Sequence, residues 1–103
     1  MLNKVKIGGI VYSINIVDKL LSDDNTKLDG QISYTNSEIN LDSRLSEQTR
    51  YQILWHEILH GILTHAGNTE LIGEEDINVL AYSIMQILRD NPKLFDAIKE
   101  LDA

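Results

Sequence analysis

The chain has 103 residues, of which 43% are hydrophobic and 24% are charged, as is typical of a folded protein rather than a disordered one. It contains no Cys, which excludes disulfide bonds, thiolate metal ligands and a cysteine nucleophile. Its net charge is −7, and residues 51–103 carry three Lys or Arg against nine Asp or Glu. Because nucleic acids and anionic membranes would repel this acidic half, we expect neither as a partner.

Length and hydropathy also limit the organisation and the location of the chain. A second domain would leave each half near the lower limit for independent folding, so we predict a single domain over residues 1–103. No apolar run is long enough to span a membrane. The N-terminus lacks the apolar region and cleavage site of a signal peptide, and we therefore expect a cytoplasmic protein.

The first half of the chain has the pattern of β-strands. Alternating apolar and polar residues predict four strands, over 5–7, 10–16, 30–34 and 38–42. The Gly8-Gly9 pair between the first two runs indicates a tight hairpin turn. The Asp-rich segment 18–29 predicts mostly loop, with one helical turn over 17–21.

The second half of the chain has apolar residues at helical spacing. They predict three helices, over 46–66, over 73–89, and a short one that begins at Asn91-Pro92. Ser46 is the expected N-cap of the first helix, and Gly67-Asn68 its end. Strands followed by helices favour an α+β fold. We expect a small, mostly antiparallel sheet of three to five strands packed on the first helix, with the second helix antiparallel to the first.

The first helix carries the sequence His-Glu-Ile-Leu-His at residues 56–60. His56 and His60 lie one turn apart on one helical face, so both imidazoles can bind one metal ion. Glu57 then lies beside the open position of the metal, where it can take a proton from metal-activated water as a general base. The alternative interpretation is a pair of helix-surface histidines that bind no metal.

A catalytic zinc site usually has three protein ligands, so a third must come from elsewhere. His65 lies about 140° around the helix from His60, so we expect it to be exposed and not a ligand. Three acids begin the next helix, and Glu74 shares the helix face that packs toward the histidines. Glu74 is therefore the predicted ligand, with Glu75 and Asp76 as alternatives. All three acids also suit the helix dipole, whether or not a metal is bound.

Asn78 follows Glu74 by four residues and is expected on the same helix face. Its side-chain amide can accept a hydrogen bond from the far ring nitrogen of a ligating histidine, which would fix the orientation of that ring. The alternative is a polar residue between the two helices.

This pattern, His56-Glu57-x-x-His60 followed by Glu74-x-x-x-Asn78, resembles the gluzincin zinc metallopeptidases. The small size and the element order resemble the minigluzincins and the ImmA/IrrE-type peptidase domain of phage and prophage proteins. The chain departs from typical ImmA/IrrE members at residues 76–81, which read Asp-Ile-Asn-Val-Leu-Ala where Glu-Ala-Asn-x-Phe-Ala is usual. In that register Asp76 would be the third ligand.

The resemblance implies a zincin-like fold and a zinc-dependent peptidase, an endopeptidase rather than an exopeptidase. One zinc ion would be held by two histidines and a glutamate, and Glu57 would act as the base. The strand over 38–42 would hold an extended substrate by edge pairing, or would be an ordinary strand of the sheet. Tyr82 would stabilise the oxyanion, or would be a packed side chain.

A rival hypothesis is a metal-stabilised protein-interaction module without catalytic turnover. The small size of the chain favours it, because little room is left for a deep substrate cleft. Glu57 favours the enzyme, since a purely structural metal site needs no base there. The sequence leaves the substrate and the oligomeric state open.

Overall fold

The structure, a computed structural model, describes residues 1–67 and 73–101. Four strands precede three helices in the described chain, namely β1 (Lys4–Ile7), β2 (Ile10–Val17), β3 (Gly30–Ser33), β4 (Glu38–Asp42), α1 (Glu47–His65), α2 (Glu74–Asp90) and α3 (Leu94–Glu100). The α+β class predicted from the sequence is therefore confirmed. None of the described helices is both long enough and apolar enough to cross a membrane.

The sheet is mixed and has the strand order β1-β2-β4-β3. β1 and β2 form an antiparallel hairpin, in which Gly8 and Gly9 have φ of +57° and +83°, the positive values that a type I′ turn requires. β3 and β4 are also antiparallel, but β2 and β4 are parallel. The expectation of a mostly antiparallel sheet holds for two of the three strand pairs. The parallel pair arises because residues 18–29 carry the chain past the position that β4 then occupies.

Helix α1 covers one face of the sheet and forms the core with it. The buried core residues come from β1, β2, β4 and α1, namely Ile7, Tyr12, Ile14, Ile39, Leu41, Leu54 and Ile58. Helix α2 packs on α1 through its buried Ile77 and Ala81. The Ser46 hydroxyl accepts a hydrogen bond from the Thr49 N–H, which confirms the predicted N-cap.

Two predicted local structures are wrong. The helical turn expected over 17–21 does not form, because Val17 ends β2 and Leu21 pairs with Lys27 in an isolated bridge. The third helix begins at Leu94 and not at Asn91, because the Asn91 amide donates to the Ile87 carbonyl oxygen (2.9 Å) and ends α2. Gly67 follows α1 with a φ of +79°, whereas Asn68, the other predicted end residue, lies outside the described chain.

Asp42, at the end of β4, is a fully buried carboxylate that sequence analysis placed only in a strand. It accepts hydrogen bonds from the backbone N–H of Leu20 (3.1 Å) and from the backbone N–H of Arg44 (2.8 Å). The Arg44 guanidinium also donates to it. These donors, the guanidinium above all, hold the pKa of Asp42 well below its ordinary value.

We expect Asp42→Asn to lower the melting temperature at pH 7 and to weaken the acid dependence of stability. Because the folded-state pKa is depressed, the stabilisation by Asp42 is present above the unfolded-state pKa of about 3.9 and is lost as the pH falls below it. Urea unfolding between pH 7 and pH 3 measures this, with the exposed Asp23→Asn as the control. An unchanged pH dependence in Asp42→Asn would contradict this role.

Candidate metal centre

The structure brings together the three side chains that sequence analysis favoured as ligands. His56 and His60 lie on successive turns of α1, with their Nε2 atoms 3.0 Å apart. Glu74, the first residue of α2, places its Oε2 atom 2.9 Å from His56 Nε2 and its Oε1 atom 2.9 Å from His60 Nε2. Two imidazole nitrogens and a carboxylate thus converge on one point and could hold a metal ion.

The donor set and its exposure suit a divalent ion with an open position. Two nitrogens and one oxygen are the protein ligands of several catalytic zinc sites. Donor atoms around a tetrahedral zinc ion lie about 3.3 Å apart, so the two histidine nitrogens, now 3.0 Å apart, need to spread by only about 0.3 Å. The His56 side chain is 12% exposed, His60 is 28% exposed and Glu74 is 69% exposed. The cluster is therefore open to solvent on the side of Glu74.

The other acidic candidates at the start of α2 do not join this cluster. Glu75 and Asp76 are exposed, and among the described residues neither belongs to the group of converging ligands. The three consecutive acids differ because each is rotated by about 100° from the last around the helix. The structure thus favours the helical-face argument for Glu74 over the register in which Asp76 would be the ligand.

The hydrogen bond expected from Asn78 is not formed. Asn78 is exposed on α2, and the buried Nδ1 atom of His56 has no hydrogen-bond partner among the described residues. Asn78 follows the buried Ile77 by one residue, which turns it about 100° away from the centre of the helix interface. This unpartnered ring nitrogen is where the cluster differs from the usual zinc site, in which the second nitrogen of a ligating histidine is hydrogen-bonded.

Glu57 is a second carboxylate beside the cluster and not a member of it. Its side chain is turned toward the sheet, where a Cβ added to Gly30 would lie 3.3 Å from Glu57 Cγ. Glu57 is 7% exposed. Burial chiefly, and the nearby Glu74 carboxylate to a lesser degree, raise the pKa of Glu57 to about 7. Glu57 is thus a buried carboxylate with a raised pKa, next to the candidate ligands but outside their group.

Gly30 leaves room for Ile53 and Glu57, and we expect Gly30→Ala to disturb both. The added methyl group would overlap the Ile53 side chain, and relieving such overpacking typically costs about 1–3 kcal/mol of stability. We expect a lower melting temperature, with zinc affinity less affected than stability. Gly73→Ala is the control, because no atom of the described residues lies within 4 Å of a Cβ added there. An equal loss of stability in both variants would contradict this explanation.

β3 is the edge strand next to the cluster, which corrects one expectation from the sequence. The strand Glu38–Asp42, which the resemblance offered for pairing with substrate, lies between β2 and β3 and has both edges occupied. The Asp42 N–H donates to the Asp29 carbonyl oxygen (2.9 Å), which fixes the alternation of hydrogen-bonded pairs along β3. By this alternation, the backbone N–H and C=O groups of Gly30 and Ile32 point away from β4, toward the open edge.

Two polar contacts near the end of α1 were missed by sequence analysis. Tyr34, just beyond β3, hydrogen-bonds through its hydroxyl to Thr64 Oγ1 (2.9 Å). His65 is exposed, as expected, but its Nε2 atom lies 2.7 Å from the Tyr12 hydroxyl. The position of Thr64, four residues after His60, is the only signal in the sequence that could have placed it near the cluster.

Comparison with protein-family models, with curated proteins and with solved structures finds no match to this chain. The resemblance to the gluzincins therefore depends on the residues of the two helices alone. Function has to be argued from the chemistry of the site itself.

Proposed function

We propose that the protein hydrolyses peptide bonds with one zinc ion held by His56, His60 and Glu74. The observation that carries this proposal is the convergence of two imidazole nitrogens and a carboxylate within 3.0 Å of one another. A second, buried carboxylate, that of Glu57, directly follows His56 on the same helix. A ligand set of this type with a separate carboxylate is the minimum that zinc-assisted hydrolysis requires.

His56, His60 and Glu74 would hold the zinc ion, which would supply Lewis-acid activation of water and of the substrate carbonyl. The two histidines and Glu74 hold and orient the ion. Glu57 takes a proton from the attacking water and later delivers it to the leaving amine. Its position against Gly30 of β3 shields it from bulk solvent.

The free edge of β3 supports a peptide as the substrate. An extended peptide can add to this edge by hydrogen bonding to the outward backbone groups of Gly30 and Ile32. It would then lie between β3 and α2, alongside the helix face that carries both histidines. The hydrogen-bonded Tyr34 and Thr64 would limit one end of the space for this peptide, because Thr64 stands one turn beyond His60.

A second candidate function is a metal-stabilised interaction module without turnover. The packing of α2 favours this function. Helix α2 packs chiefly on α1 and makes few contacts elsewhere in the described chain. A metal ion that joins Glu74 to both histidines would fix the start of α2 on α1. In this case Glu57 would have no chemical role.

Peptide cleavage by the purified protein tests the proposal. The parent protein, loaded with one equivalent of zinc or treated with a chelator, is incubated with a proteome-derived peptide library. New peptide termini are then identified by mass spectrometry. The peptidase hypothesis expects new termini in the zinc-loaded sample only. A protein that binds zinc at the cluster and cleaves nothing would contradict it and favour the interaction module.

A further inference from the structure

A polar pocket of about 320 Å³ lies between α1 and α2. Its polar lining comes from both helices and consists of Gln48, Gln52, Tyr82, Gln86, Arg89 and Asp90. The volume falls at the lower end of the range for small-molecule sites. Neither the candidate ligands nor Glu57 is part of this lining, so the pocket is separate from the metal cluster.

The pocket lies along the same pair of helices as the cluster. On α1, four-residue steps rotate the side chain by about 40°, so Gln52 stands within about 80° of both His56 and His60. On α2, Tyr82 stands eight residues after Glu74 and about 80° around the helix from it. The pocket therefore lies beyond the cluster, toward the start of α1.

The side chains of the pocket are suited to a carboxylate. Arg89 forms no ion pair within 4.0 Å with any carboxylate of the described residues, including the neighbouring Asp90. Three glutamine amides, from Gln48, Gln52 and Gln86, add further N–H donors. Arg89 is exposed, and its guanidinium can bind a planar carboxylate through two parallel N–H···O bonds. The Asp90 carboxylate in the same lining opposes part of this attraction.

The spacing along α1 sets the distance between the two sites. Gln52 and Gln48 precede His56 by four and eight residues, which corresponds to about 6 and 12 Å along the helix. An extended peptide rises about 3.3 Å per residue, so the pocket lies about two to four substrate residues from the cluster.

We propose that this pocket binds a carboxylate of the peptide substrate, about two to four residues from the bond that is hydrolysed. The inference rests on the proposed peptidase function insofar as it calls the bound peptide a substrate. Binding in the pocket itself needs no metal. The carboxylate belongs either to an acidic side chain or to the C-terminus of the peptide, and the two sources share the same recognition chemistry.

Binding of three short peptides to the zinc-free protein tests this proposal. The probes are acetyl-Ala-Ala-Glu-amide, its Gln counterpart, and acetyl-Ala-Ala-Ala with a free C-terminal carboxylate. Nuclear magnetic resonance of the ¹⁵N-labelled protein reports on the side-chain amides of Gln48, Gln52 and Gln86. We expect at least one carboxylate peptide to shift these signals and to bind roughly two- to fivefold more tightly than the Gln peptide.

Substitution of Arg89 then assigns the preference to the pocket. Arg89→Gln should abolish the difference between the peptides. Lys99→Gln, which removes the same charge from the exposed helix α3, should preserve it. A preference for the Glu peptide identifies a side chain as the source, and a preference for the free carboxylate identifies the C-terminus. Equal binding of all three peptides, shifts confined to residues outside the pocket, or a preference that survives Arg89→Gln would overturn the proposal.

Failure of this proposal is distinguishable from failure of the proposed function. A protein that cleaves peptides and yet binds the three probes equally is a peptidase without this pocket function. A protein that prefers a carboxylate peptide through Arg89 and yet cleaves nothing keeps the binding pocket and loses the peptidase assignment.

Discussion

Replacing Glu57 by Gln is expected to lower the rate of peptide hydrolysis by about 10²- to 10⁴-fold, the usual contribution of a general base. Zinc affinity should stay close to that of the parent, because Glu57 does not belong to the converging ligand group. Glutamine keeps the size and polarity of the side chain but cannot accept the proton. The side chain also keeps its place against Gly30, so the fold should be preserved.

The comparison needs cleavage and zinc binding measured on the same preparations. Cleavage of the peptide library gives the rate, and competition with a chromophoric chelator gives the zinc affinity. Glu47→Gln is the matched control, since it removes an exposed carboxylate from the start of the same helix. Loss of zinc in Glu57→Gln would show that this residue is part of the metal site. Full activity would show that the base lies elsewhere.

Replacing Glu74 by Ala is expected to weaken zinc binding by more than about a hundredfold, since even residues that only orient ligands contribute 10- to 100-fold. The reason is geometric, because the two carboxylate oxygens of Glu74 lie 2.9 Å from the Nε2 atoms of His56 and His60 respectively. Glu75→Ala and Asp76→Ala remove the same charge from the same helical turn, and we expect them to leave zinc affinity nearly unchanged.

The thermal stability of these variants gives an independent readout. A ligand that binds only the folded state stabilises it by about 2.7 kcal/mol at a hundredfold excess over its dissociation constant. Added zinc should therefore raise the melting temperature of the parent and of the Glu75 and Asp76 variants, but not that of Glu74→Ala. If Asp76→Ala loses the zinc effect and Glu74→Ala keeps it, the ligand register suggested by the ImmA/IrrE pattern is right.

The ligand cluster could be predicted from the sequence because helical geometry determines most of it. The spacing of His56 and His60 places them on one face, and the same rotation argument singles out Glu74 among three consecutive acids. The structure agrees with both inferences, since the two Nε2 atoms lie 3.0 Å apart and the Glu74 carboxylate lies 2.9 Å from each of them. Such arguments work where both partners lie on helices whose buried faces can be recognised.

Features that depend on contacts between distant elements could not be predicted in this way. β4 lies inside the sheet because of a parallel pairing with β2, which alternation within a strand does not encode. The burial of Asp42 and the bond between Tyr34 and Thr64 likewise depend on how separate elements meet. Asn78 was misjudged because its position near a buried face did not imply that it reached the ring of a histidine.

The most direct test of the central claim is a crystal structure of the zinc-loaded protein, with anomalous scattering measured at the zinc absorption edge. We predict one anomalous peak about 2.0–2.2 Å from the Nε2 atoms of His56 and His60 and from a Glu74 oxygen. Glu57 should lie outside the coordination sphere, facing the open position. A zinc ion bound by Glu57, by Glu75 or by Asp76 in place of Glu74, or no peak at the two histidines, would contradict the account.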